Sequence, residues 1–188
     1  MDVVLRLILA TGLRIGEVFA LRWSDADFDT GALLVQRNAR FRTGSGVVMD
    51  TLKTKNARRL IELSPKTMIL LARQRVANAE VRLAAGKAWL GQDLVFCSSL
   101  GTPHIHANQA RVLRRVLGSS GVDVPETVGF HTFRHTAATH WIKAGADIYA
   151  VSRRLGHADA AFTMNVYGHL LKGMQATAAG AMDHLIAG

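Results

Sequence analysis

The chain has 188 residues, with 23 Lys and Arg against 14 Asp and Glu, a formal net charge of +9, and 49% hydrophobic residues. That apolar content excludes a disordered polybasic tail, and the length suffices for one core burying roughly 70% of the surface exposed on unfolding. A single cysteine, Cys97, excludes an intramolecular disulfide framework and a cysteine-based zinc cluster.

Asp2–Thr11 carries apolar positions at helical spacing and stops at Gly12, and Ile15–Trp23 reads as a second short helix. The early apolar stretch, Val3 to Ala10, is interrupted by Arg6 and is too short to span a bilayer. A soluble, cytoplasmic protein is expected. After a polar turn at Ser24–Gly31, the segments Ala32–Gln36, Gly46–Leu52 and Arg59–Leu63 read as strands. Their turn-rich connections predict a three-stranded meander. Ser64 caps a helix with Pro65 at its first position, running Lys66–Ala85 and ending at Gly86. Leu94–Phe96 is a short apolar strand. The remainder is helical: His106–Leu117, Thr132–Ala144, Ile148–Leu155 capped by Asp147, Asp159–Tyr167, and a last helix over Leu170–Ile186. The fold class is mainly α with a small antiparallel three-stranded sheet, in a single domain over residues 1–188.

The basic surplus consists of seventeen arginines and six lysines. Arginine presents a planar fork that matches phosphate or carboxylate, so an anionic partner is expected, nucleic acid first. Arg14 lies between a helix-ending glycine and a helix start, where its guanidinium and the first backbone amides address the same anion. Glu17, three residues on, shares its face and holds it. His131 and Arg134 share a helix face at i, i+3. His131 and His135, at i, i+4, have the spacing of a zinc pair, but Thr132 stands where the His-Glu-x-x-His motif needs its glutamate. No metal is therefore expected, and His135 and His140 read as packing or capping residues. Tyr149 falls among apolar helical residues and reads as core. Tyr167, beside Gly168 near a helix end, reads as a phenol presented at a surface. Lys53 and Lys55 occupy a basic hairpin tip.

Taken in order, Thr11-Gly-Leu-Arg14-Ile-Gly-Glu17, Lys53-Thr-Lys55, His131-Thr-Phe-Arg134-His-Thr, Leu155-Gly-His157 and Tyr167 resemble the tyrosine recombinase (phage integrase) family from about Asp2 to Leu171. The resemblance implies the DNA breaking-rejoining catalytic fold. It also implies metal- and ATP-independent cleavage and rejoining of DNA strands through a 3′-phosphotyrosyl intermediate, with no cofactor. It assigns Arg14 and Arg134 to clamping the scissile phosphate, His157 to a third donor, and Tyr167 to the nucleophile. Lys53 becomes the general acid for the leaving 5′ oxygen, His131 assists proton transfer, and Glu17 supports Arg14.

Two guanidiniums and an imidazole donor suit the charge that gathers on the non-bridging oxygens of a phosphoryl transition state. A phenol, with its ordinary pKa near 10, is both nucleophile and leaving group, so the covalent link conserves the bond energy. Lys55, Arg58, Arg59, Arg111, Arg114 and Arg115 are expected to track DNA phosphates. The implied partner is double-stranded DNA, held by a homotetramer that exchanges C-terminal helices, in the nucleoid rather than at a membrane.

Three departures from the family pattern stand out. The helical core-binding domain that normally precedes Arg14 is expected to be absent, since only thirteen residues come before Arg14. The step from His157 to Tyr167 is one residue longer than in many members, and Phe133 stands where leucine is common. Two other readings compete: a type IB topoisomerase with the same chemistry, and a non-catalytic helix-turn-helix module over Asp147–Tyr167.

Overall fold

A computed structural model describes residues 1–54 and 56–171. Helix α1 (Asp2–Thr11) ends at Gly12, whose φ of 69° places it in the left-handed region. Gly12 is also where α1 meets the rest of the molecule. A Cβ there would come within 2.7 Å of the Leu155 side chain and 2.9 Å of Trp141. Helix α2 (Ile15–Phe19) starts one residue after Leu13, with Arg14 as its N-cap. The Arg14 amide donates to the carboxylate of Glu17 at 2.9 Å, the reach-back half of a capping box.

The strands form two sheets. In the first, β1 (Ala26–Asp27), β2 (Ala32–Val35) and β5 (Arg59–Glu62) are antiparallel in the order β1-β2-β5, with Leu33 opposite Ile61. In the second, β3 (Arg37–Arg42) and β4 (Gly46–Thr51) make a hairpin. The expected meander is therefore corrected. A three-stranded antiparallel sheet exists, but Gly46–Thr51 does not belong to it. It pairs instead with Arg37–Arg42, a polar strand without apolar alternation to announce it. Lys53 consequently follows β4 in a loop between two sheets rather than at a hairpin tip. Leu94–Phe96 forms no strand; Leu94 makes only an isolated bridge to Arg22.

Helix α3 (Pro65–Ala85) starts as its sequence dictates, with Ser64 accepting from the Thr67 amide and Pro65 at the first position. It is followed by α4 (His106–Gly118), α5 (Phe130–Lys143), α6 (Ile148–Leu155) and α7 (Ala160–Tyr167). Asp147 and Asp159 cap the last two through their carboxylates. One core gathers buried side chains from α1, α2, β2, β5, α3 and α4 together with Val95 and Phe96. A second, smaller one is made of Ala138, Ile142, Val151, Leu155 and Tyr167. Among the described residues no helix is long and apolar enough to cross a membrane. Lys55 and all of the expected last helix beyond Leu171 lie outside the described residues.

Candidate active site

Glu17 is 1% exposed and sits at the junction of α1, α2, β5 and α6. It accepts from the Arg14 amide and Nη1 at 2.9 and 3.1 Å, and from Arg59 Nη1 and Nη2 at 3.2 and 2.9 Å. Burial alone would raise its pKa, but the hydrogen bonds and charge of Arg59, and then of Arg14, hold it below the usual carboxylate range. Glu17 thus fixes Arg14, as the spacing of the two residues predicted.

Arg59 is placed differently from its expected role. Its side chain is 7% exposed and its donors go to Glu17, to the Ala57 carbonyl at 3.0 Å and to the Arg154 carbonyl at 2.7 Å. Its charge is answered by the Glu17 carboxylate and four of its five N–H groups are taken, which leaves it little with which to track a DNA phosphate. It braces Glu17, and through Glu17 it braces Arg14. Gly156 leaves room for this: at φ 69°, any Cβ there would fall 2.5 Å from Arg59 Nη1.

Arg134, on the second turn of α5, is 5% exposed and among the described residues has no carboxylate partner. Its Nη1 donates to the carbonyl of Gly12 and its Nη2 to that of Leu155 at 2.8 Å. These are the terminal carbonyls of α1 and α6, so the negative ends of two helices converge on one buried cation. Burial, and then the Arg14 cation, lower its pKa to about 9, which still leaves it charged at neutral pH.

His157 follows the glycine that closes α6. Its Nε2 lies 2.9 Å from Arg134 Nη2 and its Nδ1 2.7 Å from Thr163 Oγ1. Arginine can only donate, so Nε2 accepts and Nδ1 carries the proton, donating to the threonine hydroxyl. Burial first, and then Arg134 and Arg14, lower this imidazole to about 4, so it is neutral at pH 7. In this arrangement His157 is an acceptor that orients Arg134, not the anion donor that the family resemblance implies.

Thr163 and Tyr167 lie one turn apart on α7, and both are buried. Tyr167 is 4% exposed, whereas Tyr149 is 63% exposed, the reverse of both expectations. The buried stripe of α6 is Ile148, Val151, Ser152 and Leu155, and Tyr149 falls off it. The Tyr167 hydroxyl bonds to His135 Nδ1 at 2.6 Å. Burial raises the phenol pKa and Arg134 partly offsets the rise. His135, read from sequence as a packing or capping residue, is thus the direct partner of the candidate nucleophile. Nothing local announces this, because the two residues are 32 positions apart.

His131 lies one turn before His135 at the exposed start of α5, and its pKa is lowered by burial and then by Arg134. It shares a cleft of about 260 Å³ with His106, Arg114 and Glu126. Lys53 is exposed in its loop. Asn56 Nδ2 donates to the Ala158 carbonyl at 2.8 Å and so moors that loop beside His157. Arg58, Arg111, Arg114 and Arg115 are exposed. Around the centre, three guanidiniums face one carboxylate, so positive charge is left for an anion to neutralise.

The chain that builds this site matches the family model of the phage integrase family over residues 2–174. The chain belongs to that family. Among curated relatives it is 29% identical to a XerC-like tyrosine recombinase of Caldanaerobacter subterraneus, over 95% of this chain and 48% of the relative. It is 31% identical to the ICEBs1 integrase of Bacillus subtilis, over 94% of this chain and 46% of that one. The chain therefore spans about half the length of the curated relatives it matches. Among solved structures, the Tn1549 transposon integrase in complex with transposon right end DNA superposes with a TM-score of 0.77 at 23% identity, covering 99% of this chain and 58% of that one. The XerA recombinase gives 0.63 at 25% identity, covering 97% and 56%.

Proposed function

We propose that this chain carries the catalytic domain of a site-specific DNA recombinase, cleaving and rejoining strands through a 3′-phosphotyrosyl link at Tyr167. The observation that carries the reading is the continuity from Arg134 through His157 and Thr163 to the helix that bears Tyr167. One chain of contacts joins the phosphate clamp to the nucleophile. The scissile phosphate lies against Arg14 and Arg134, where the surplus positive charge is, and its transition-state oxygens receive donors already in place. Lys53 protonates the leaving 5′ oxygen from the moored loop, and His131 supports proton transfer at the rim.

His157 joins the clamp by exchanging tautomers. The Thr163 hydroxyl both donates and accepts, so it supports Nδ1 unprotonated while Nε2–H turns to a phosphate oxygen. Double-stranded DNA lies across the exposed Arg58, Arg111, Arg114 and Arg115, and its affinity falls steeply with salt. The family resemblance implies four copies on the DNA with exchange of C-terminal helices, and that assembly is part of the proposed reading.

The test is a nicked suicide duplex that traps the cleaved strand. Wild-type protein gives an SDS-resistant adduct whose DNA-linked peptide contains Tyr167, and Tyr167→Phe gives none while still shifting the duplex in a gel. DNA binding without any adduct, at low salt and high DNA concentration, rejects the enzyme reading. With Lys53→Ala, a substrate bearing a bridging 5′ phosphorothiolate restores cleavage, because its leaving group needs no acid.

A further inference from the structure

We infer that His135 is the base that takes the phenol proton from Tyr167 as the phosphotyrosyl bond forms; the inference rests on the strand-cleavage reading above. The argument begins with need. Tyr167 is buried and its phenol is harder to ionise than a free one, so attack on phosphorus requires a base at the hydroxyl itself. One side chain meets that requirement. His135 Nδ1 stands 2.6 Å from the hydroxyl, with the rings tilted at 47° and their centroids 5.9 Å apart.

The other histidines of the centre are committed elsewhere. His157 uses both ring nitrogens, on Arg134 and on Thr163. His131 lines the cleft with Arg114 and Glu126 and, among the described residues, makes no hydrogen bond to the Tyr167 hydroxyl. His135 is exposed, and its Nε2 makes no hydrogen bond among the described residues. That arrangement leaves Nδ1 as the acceptor and gives the proton an exit to solvent.

The step balances. The Tyr167 oxygen bonds to phosphorus, its proton passes to His135 Nδ1, the bond from phosphorus to the 5′ oxygen breaks, and that oxygen takes a proton from Lys53. On rejoining, the incoming 5′ hydroxyl returns a proton to the Lys53 amine, and the departing phenolate recovers its own from the imidazolium of His135.

The experiment compares wild type, His135→Ala and His135→Asn in single-turnover adduct formation on the suicide duplex, with melting curves confirming that each is folded. Asparagine can accept the phenol hydrogen bond but cannot take its proton. Both variants are expected to slow adduct formation by about 10²–10⁴, and added imidazole is expected to restore part of the rate to His135→Ala alone. A wild-type rate in His135→Asn, or a rate in His135→Ala equal to or above wild type, overturns the inference, because the bond would then only position or restrain Tyr167. If wild type itself forms no adduct, the strand-cleavage reading fails. The pairing is then judged separately by the ¹⁵N shift of His135 Nδ1. That shift must report an unprotonated nitrogen that moves in Tyr167→Phe, and a protonated Nδ1 overturns the inference on its own.

Discussion

The larger core, running from Val4 to Phe130, adjoins the Arg14, Glu17 and Arg59 cluster with many fully buried side chains, whereas among the described residues the smaller one has Ala138, Ile142, Val151, Leu155 and Tyr167. In the larger core the polar groups that matter are locked by charge, with one buried carboxylate answering two guanidiniums. In the smaller core the candidate nucleophile is itself a packing residue, held by apolar contacts and one hydrogen bond. On the proposed reading the difference separates the labour: Arg14 of the phosphate clamp belongs to the larger core, and the nucleophile to a part with fewer buried contacts among the described residues, whose local opening is expected to be cheaper. Arg134 spans the two, reaching Gly12 on one side and Leu155 and His157 on the other.

Cutting that span is the severest test. Arg134→Ala removes a transition-state donor and strands two helix-terminal carbonyls, and cleavage is expected to fall by about 10²–10³ or more in single-turnover assays. Glu17→Ala attacks the larger core by leaving Arg59 buried without its counter-charge, and should cost about 3–5 kcal/mol in denaturant unfolding. The same carboxylate sets an acid limit. Its folded pKa is depressed, so its stabilisation is complete above the ordinary glutamate value near 4.3 and is lost as pH falls through the lower folded value. Melting curves taken down the pH scale should show that acid loss in wild type and not in Glu17→Gln.

A pair of cavity variants compares the cores directly. Leu7→Ala and Ile142→Ala each remove a buried aliphatic side chain at a cost of about 2–5 kcal/mol. Hydrogen exchange should quicken throughout the molecule in the first and chiefly in α5–α7 in the second, with adduct formation slowed more in the second. Equal exchange patterns would dissolve the distinction. The smallest effect belongs to Thr163→Val, which takes one hydrogen bond from His157, about 1 kcal/mol and so about fivefold in rate.

What the sequence disclosed followed distance along the chain. Caps and stops were legible at Gly12, Ser64–Pro65, Asp147 and Gly156, because each is decided by a few neighbouring residues. The Arg14–Glu17 pairing was legible for the same reason, and the order of the motifs identified the family. Arg59 was not, because alternation along a strand cannot say which of Arg58 and Arg59 points inward when the deciding partner, Glu17, is 42 positions away. Strand β3 escaped notice because Arg-Asn-Ala-Arg-Phe-Arg presents no apolar face. Tyr149 and Tyr167 exchanged places because each residue turns an α-helix by about 100°, so in an eight-residue helix one position decides whether a side chain falls on or off the buried stripe. His135 looked like packing because its partner belongs to a different helix.

The bonds that build the clamp are among the longest in the chain. Arg134 reaches Gly12 across 122 positions and Arg154 reaches Ala10 across 144. Contacts of that separation carry the largest loop-closure cost, which a chain recovers only when its ends have met. Helices can form, and strands can pair, while the phosphate site does not yet exist. A fragment lacking α1, or a molecule opened at either terminus, would keep most of its secondary structure and have no means of cutting DNA. On the strand-cleavage reading, cutting competence is thereby tied to complete folding, and partly folded copies cannot break DNA.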